Sequence, residues 1–138
     1  MNGNMKKLIA MAMIVVAGLA VLSCGSGAID GKWTISTVNG ETVKTVEKVP
    51  YISFNGAEGR INACFGVNTA NGSYTYENGK LGIDNLMMTM MAGIPQDMEV
   101  ENKVREAVGN VASAKIKGNK LLLYDSAGKE LMTLVKEQ

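Results

Sequence analysis

The 138-residue sequence predicts a mainly β protein, a sandwich or small barrel of about eight short antiparallel strands with one inserted helix. Turn dipeptides punctuate the chain from Gly31 onward: Asn39-Gly40, Asn55-Gly56, Asn78-Gly79, Gly118-Asn119 and Ser126-Ala127-Gly128. Asn-Gly is a strong hairpin signal because both residues tolerate the positive φ of a type I′ turn. Between the turns lie short runs of alternating apolar and polar residues, and a single segment departs to helical spacing.

The strands are expected at Trp33–Val38, Tyr51–Phe54, Gly59–Cys64, Ser73–Glu77, Lys80–Ile83, Ala112–Lys117, Lys120–Tyr124 and Glu130–Val135. In the sixth, Ala112, Ala114 and Ile116 share one face and Ser113, Lys115 and Lys117 the other, as a half-buried antiparallel strand requires. The helix is expected over about Gln96 to Val108. Val100, Val104, Ala107, Val108 and Val111 recur at helical spacing after a start marked by Pro95 and Asp97. Glu99 and Glu101 lie near its positive N-terminal end, and Gly109 is the expected C-cap. Such a helix would cover an end or open side of the sheet.

Ahead of this domain, Met5-Lys6-Lys7 gives a positive start, Leu8 to Leu22 is an uncharged apolar run of 15 residues, and Val21-Leu22-Ser23-Cys24 follows. The run falls short of the ~20 residues of a membrane span, and its small-residue end suits processing. It resembles a bacterial lipoprotein signal peptide, with Ser23 before the cysteine as in the Bacteroidetes form. Residues 1–23 are thus expected to be removed, Cys24 to be lipidated, and residues 24–30 to link the lipid to a domain at 31–138. Gly25 to Asp30 would span at most ~20 Å, which holds the domain near its membrane. With no acidic run after Cys24, the expected setting is the cell envelope, at the outer membrane and facing the periplasm.

Loss of 23 residues from 138 leaves 115, enough for one core. Without Lys6 and Lys7 the remainder carries 12 basic and 13 acidic residues, spread without runs, which gives nucleic acid nothing to bind. The sequence holds no His, so a His-containing triad and a His-bound metal are both excluded. With Cys24 acylated, Cys64 is a lone thiol and no intramolecular disulfide forms. No catalytic residue, metal ligand or cofactor site is expected.

Several residues invite a functional reading. Met87, Met88, Met90 and Met91 are soft ligands for Cu(I) in principle, but extended backbone would point them in two directions. They are better read as flexible filler of the core beneath the helix. Cys64 groups with Arg60 and Asn62 on a partly exposed strand face and has no identifiable base, so it reads as an adventitious thiol. Asp125-Ser126-Ala127 resembles a Bacteroidetes O-glycosylation site with Ser126 as acceptor, against the plain alternative of a polar turn. Asn71-Gly72-Ser73 is read as a loop.

Gly31-Lys32-Trp33, Val38-Asn39-Gly40, Pro50-Tyr51-Ile52-Ser53-Phe54, Gly66-Val67-Asn68, Gly72-Ser73-Tyr74, Thr89-Met90-Met91-Ala92-Gly93 and Lys120-Leu121-Leu122-Leu123 follow in the order of the META domain family, which includes HslJ-type lipoproteins. The resemblance implies a small antiparallel β-barrel of lipocalin-related shape carrying one helix, with Trp33, Gly66, Asn68, Thr89 and Met91 as motif positions. It also implies a non-enzymatic envelope protein linked to stress tolerance. Two signature cysteines of the family are replaced here by Val67 and Gly93, so a disulfide between them is missing.

The reading that follows is a monomeric, membrane-anchored domain with a binding or envelope-maintenance role toward an envelope protein. The alternative is a lipocalin-like carrier of a small apolar ligand, which a hollow barrel would favour. The expected contact surface is the barrel end formed by the Phe65–Asn71 connection and the Leu86–Pro95 segment, with Phe65 and Ile94 as its apolar residues, against the alternative that the helix buries them as core.

Overall fold

The computed structural model describes residues 29–138. Cys24 and the signal-like segment lie outside the described residues. Nine strands run in chain order as β1 (Gly31–Val38), β2 (Glu41–Thr42), β3 (Tyr51–Asn55), β4 (Arg60–Cys64), β5 (Thr69–Glu77), β6 (Lys80–Met88), β7 (Ser113–Lys117), β8 (Lys120–Tyr124) and β9 (Glu130–Lys136). The helix α1 (Pro95–Gly109) sits between β6 and β7.

All pairings are antiparallel and follow the order β2-β1-β3-β4-β5-β6-β7-β8-β9, and β1 also pairs with β9. That last ladder, from Trp33↔Lys136 to Val38↔Met132, closes the sheet into a ring from which two-residue β2 projects as a spur. Closure removes the free edges that an open sheet would present. The weakest seam lies between β6 and β7. There the only register pair is Lys80↔Ser113, flanked by bonds from Leu81 N to the Ala112 carbonyl (3.1 Å) and from Ala114 N to that of Gly79 (2.8 Å).

The turn chemistry behaves as expected at two hairpins, where Asn39 (φ 50°) and Gly40 (φ 80°), and Asn78 (φ 52°) and Gly79 (φ 81°), each place two consecutive residues at positive φ. Alternation then aims one face of each strand inward. Trp33, Ile35, Ile52, Phe54, Ile61, Leu81, Leu121, Leu123 and Leu134 are all buried. Tyr74 packs edge-on to Phe54 with ring centroids 4.9 Å apart. Trp33 Nε1 donates to the Ile29 carbonyl at 2.9 Å, which satisfies its one polar atom within the core.

Some expectations fail. The strand expected at Ser73–Glu77 begins at Thr69, so Asn71-Gly72-Ser73 lies inside β5 rather than in a loop. The strand expected to stop at Ile83 continues through Met88, past Asn85 at φ 54° and a register shift against β5. Cys64 is 2% exposed, although its neighbours on the same strand face, Arg60 and Asn62, are exposed. Gly109 is the last helical residue and not the cap. Asn110 terminates α1 with its N–H on the Ala107 and Val108 carbonyls and its side-chain amide donating to the Glu106 carbonyl at 3.0 Å.

The methionine expectation is overturned as well. Met87, Met90 and Met91 are 75%, 82% and 55% exposed, and only Met88 packs against the core. Phe65 and Val67, with Val104 of the helix itself, are the buried apolar residues near this end of the domain, all at 9% exposure or less.

Candidate functional site: a polar knot beneath an apolar rim

The helix positions the site. Its buried residues Asp97, Glu101, Val104 and Val108 recur at spacings of four, three and four, a single stripe along one face. The C-terminal half of the stripe is apolar and completes the core, whereas its N-terminal half carries two carboxylates one turn apart. Both are shielded from water, Asp97 at 0% and Glu101 at 2% exposure. A buried carboxylate needs donors, and two different loops supply them.

The β4–β5 connection serves Glu101. Val67 N donates to Oε1 at 3.0 Å, Asn68 N to Oε1 at 2.6 Å, and Asn68 Nδ2 to Oε2 at 2.7 Å. Burial alone would push the Glu101 carboxyl up. The bonds from the Asn68 backbone and side chain, the bond from Val67 N and the attraction of Arg105 outweigh that effect, and the carboxyl is held below its ordinary value of 4.5. The connection can approach this closely because position 66 is glycine. Gly66 has φ 146°, and a Cβ there would stand 2.9 Å from the Asp97 carbonyl oxygen and 3.2 Å from Glu101 N.

Asn68 transmits this anchor to the segment after β6. Its Nδ2 also donates to the Met91 carbonyl at 3.0 Å, while its Oδ1 accepts from Met91 N at 2.7 Å and from Thr89 Oγ1 at 2.8 Å. All four hydrogen-bonding positions of the amide are thereby used. Thr89 Oγ1 in turn accepts from Thr69 N at 3.2 Å.

Asp97 holds a second loop, between β2 and β3. Val46 N donates to Oδ1 at 2.8 Å and Glu47 N to Oδ2 at 3.1 Å. Around them, Gln96 Nε2 donates to the Lys44 carbonyl at 3.2 Å and Lys48 Nζ to the Val67 carbonyl at 3.2 Å. The β2–β3 loop, the segment after β6 that Asn68 holds and the residue before the helix carry Val46, Val49, Met90, Met91 and Ile94, all 37% exposed or more. Apolar side chains thus face solvent from backbone whose ordering cost is already met in the folding of the domain.

The structure thus brings four of the five motif positions, Gly66, Asn68, Thr89 and Met91, into one knot and leaves Trp33 apart from it. Trp33 lies in the barrel core with Lys136 Nζ 4.7 Å over its ring. For Phe65 the alternative of burial holds and the contact-surface reading does not: it is 0% exposed and belongs to the core, in a tight turn closed by Phe65 N on the Asn68 carbonyl (3.2 Å). Ile94 is 37% exposed at the helix start. Ser126 is exposed in the β8–β9 turn, where with Asn39, Glu106, Asn110 and Asp125 it lines a polar pocket of about 280 Å³.

Asp97 and Glu101 as ligands of loop backbone, and Val46 and Val49 as rim residues, were not singled out by sequence reasoning. The available signal was the placement of both acids on the same stripe as Val104 and Val108. The two positions where the family signature has cysteines are neighbours here. A Cβ on Gly93 would stand 3.3 Å from Val67 Cβ and 2.5 Å from its Cγ2, so the valine methyls occupy the space beside the glycine.

Comparison with known proteins bears on the fold and the family. One solved structure, described only as an NMR structure of a protein, shares 28% identity with a TM-score of 0.60, covering 78% of this chain and 89% of its own. An NMR structure of a protein from Burkholderia xenovorans is 17% identical with a TM-score of 0.65, over 83% and 88% of the two chains. The crystal structure of a DUF4847 family protein from Bacteroides vulgatus is 16% identical with a TM-score of 0.58, over 79% and 94%. The last two likenesses show the fold alone, and none of the three descriptions names a reaction. No curated protein matches the sequence. The model of the META domain matches residues 27–138, and the chain belongs to the META domain family.

Proposed function

We propose that this protein is a lipid-anchored envelope component whose META domain works by contact rather than turnover, presenting the rim of Val46, Val49, Met90, Met91 and Ile94 to a partner protein. The observation that carries this reading is the pair of buried carboxylates: Asp97 fixes the backbone of the loop bearing Val46 and Val49, and Glu101, through Asn68, fixes the segment bearing Met90 and Met91, all exposed apolar residues. The alternative role as carrier of a small apolar ligand is less well supported, since Trp33, Phe54, Leu121 and Leu123 meet in the barrel interior at 2% exposure or less. Chain direction adds a second support. Ile29 leads into β1 at Gly31, which pairs with Phe54 near the end of β3, whereas Val46 and Val49 precede the start of β3 at Tyr51, about 16 Å away along that five-residue strand. A lipid on Cys24 would tether the first end and leave the rim pointing away from the membrane.

Two experiments test the reading. Metabolic labelling with a fatty acid is expected to tag the wild type and not a Cys24→Ala variant, and equal labelling would refute the anchor. Crosslinking in intact cells, followed by purification, is expected to recover a protein partner with wild type and to lose it with Val46→Asp/Ile94→Asp at an unchanged melting temperature. Recovery of the same partner by the variant would refute the contact surface.

A further inference from the structure

Three thioethers stand in solvent within five residues of chain, which is unusual for a side chain that ordinarily fills cores. Met87, Met90 and Met91 are 75%, 82% and 55% exposed, against 1% for Met132. Their exposure is built in. The Met91 backbone is held through both its N–H and its carbonyl by Asn68, Thr89 is held by its hydroxyl, and Val67 fills the space beside Gly93. The segment therefore cannot turn its sulfurs inward without breaking the bonds that end on buried Glu101.

From this we infer that Met87, Met90 and Met91 are a modification site for peroxide-class oxidants, and that their conversion to sulfoxide turns the rim from apolar to polar without unfolding the domain. In the reaction a sulfur lone pair attacks one peroxide oxygen, the O–O bond breaks and an S–O bond forms. The thioether loses two electrons, the peroxide is reduced, and its second oxygen leaves as water. Susceptibility follows exposure, and sulfoxide is reversible by methionine sulfoxide reductases, so the change is suited to a switch. The consequence for partner capture rests on the contact surface proposed above; the chemistry does not.

The test uses the folded domain, residues 24–138, and hydrogen peroxide. Peptide mapping is expected to show one added oxygen at each of Met87, Met90 and Met91 at least about tenfold sooner than at Met132, with the melting temperature retained. Comparable rates at Met132, resistance of the three, or unfolding would overturn the inference. Retention on a phenyl matrix supplies the second readout. Wild type is expected to lose retention after peroxide and to regain it with a sulfoxide reductase, whereas Met87→Leu/Met90→Leu/Met91→Leu keeps it throughout. Equal loss by that variant would overturn the assignment to these residues. If untreated Ile94→Asp and wild type were retained alike, the contact surface would fall, while the mapped oxidation would still decide the site.

Discussion

Replacement of Glu101 by Gln is the most direct perturbation of the knot, because it preserves shape and removes only charge and one acceptor. The carboxylate receives three bonds, two on Oε1 and one, from Asn68 Nδ2, on Oε2. With the Gln oxygen facing Val67 N and Asn68 N, its NH2 must confront Asn68 Nδ2, two donors at a separation of 2.7 Å. One buried donor is then unsatisfied, at ~1–3 kcal/mol, and the two surviving bonds fall from charged to neutral strength, at up to ~1 kcal/mol each. The expected loss is about 3 kcal/mol. For a domain of this length that corresponds to roughly 12 °C in melting temperature, read by circular dichroism at pH 7 and checked by urea unfolding. Glu99→Gln, whose side chain is 71% exposed, is the control and should change stability by less than ~0.5 kcal/mol.

The same variant fixes a pH signature. The folded carboxyl sits below its ordinary value of 4.5, so its stabilisation is full above that value and is lost as pH falls through the depressed one. The gap between wild type and Glu101→Gln should therefore narrow as the medium is acidified below pH 4.5. A loss under about 1 kcal/mol at pH 7, or a gap that stays constant into acid, would refute the role assigned to Glu101.

Other outcomes follow from the same geometry. Val67→Cys/Gly93→Cys, with Cβ atoms about 3.3 Å apart, lies close enough to bridge with slight relaxation and should gain about 3 kcal/mol when oxidised, lost on reduction; failure to crosslink would mean the two positions are not neighbours. Phe65→Asp should unfold the domain because Phe65 is fully buried, whereas Ile94→Asp, at a site 37% exposed, should leave the melting temperature within a few degrees. Cys64, 2% exposed, should resist a thiol reagent in the native protein and react only on unfolding.

The β elements were legible because alternation and Asn-Gly turns are local, and the inward residues of each strand had to be apolar whatever their partners. Closure into a ring was not local, since the β1–β9 ladder joins the two ends of the domain. The valines reveal the helix, but spacing alone makes Asp97 a start signal and Glu101 a dipole partner, because hydrophobic periodicity scores a carboxylate as surface. What makes Asp97 and Glu101 buried is a pair of loops 50 and 33 or more residues away in sequence. The methionines were misplaced for the complementary reason: whether they fill a core depends on whether Phe65 and Val67 have already done so. Phe65 escapes the pattern because the sequence suggests a connection running to Asn71, whereas β5 starts at Thr69 and the turn is tight.

The single-pair seam between β6 and β7 gives the ring an uneven grain. On one side of it, β1 to β6 form a continuous meander, and on the other β7 to β9 form a second; the two are held firmly along β1–β9 and only lightly at Lys80↔Ser113. Fluctuations large enough to part strands should therefore begin at the seam, where few bonds must break together, and swing about the β1–β9 ladder as a hinge. The amides of Leu81 and Ala114 would exchange with solvent through this opening while those of Ile35 and Leu134 waited for global unfolding. The barrel thus behaves as a clasp, with α1 lying in the stretch of chain that joins the two strands that part.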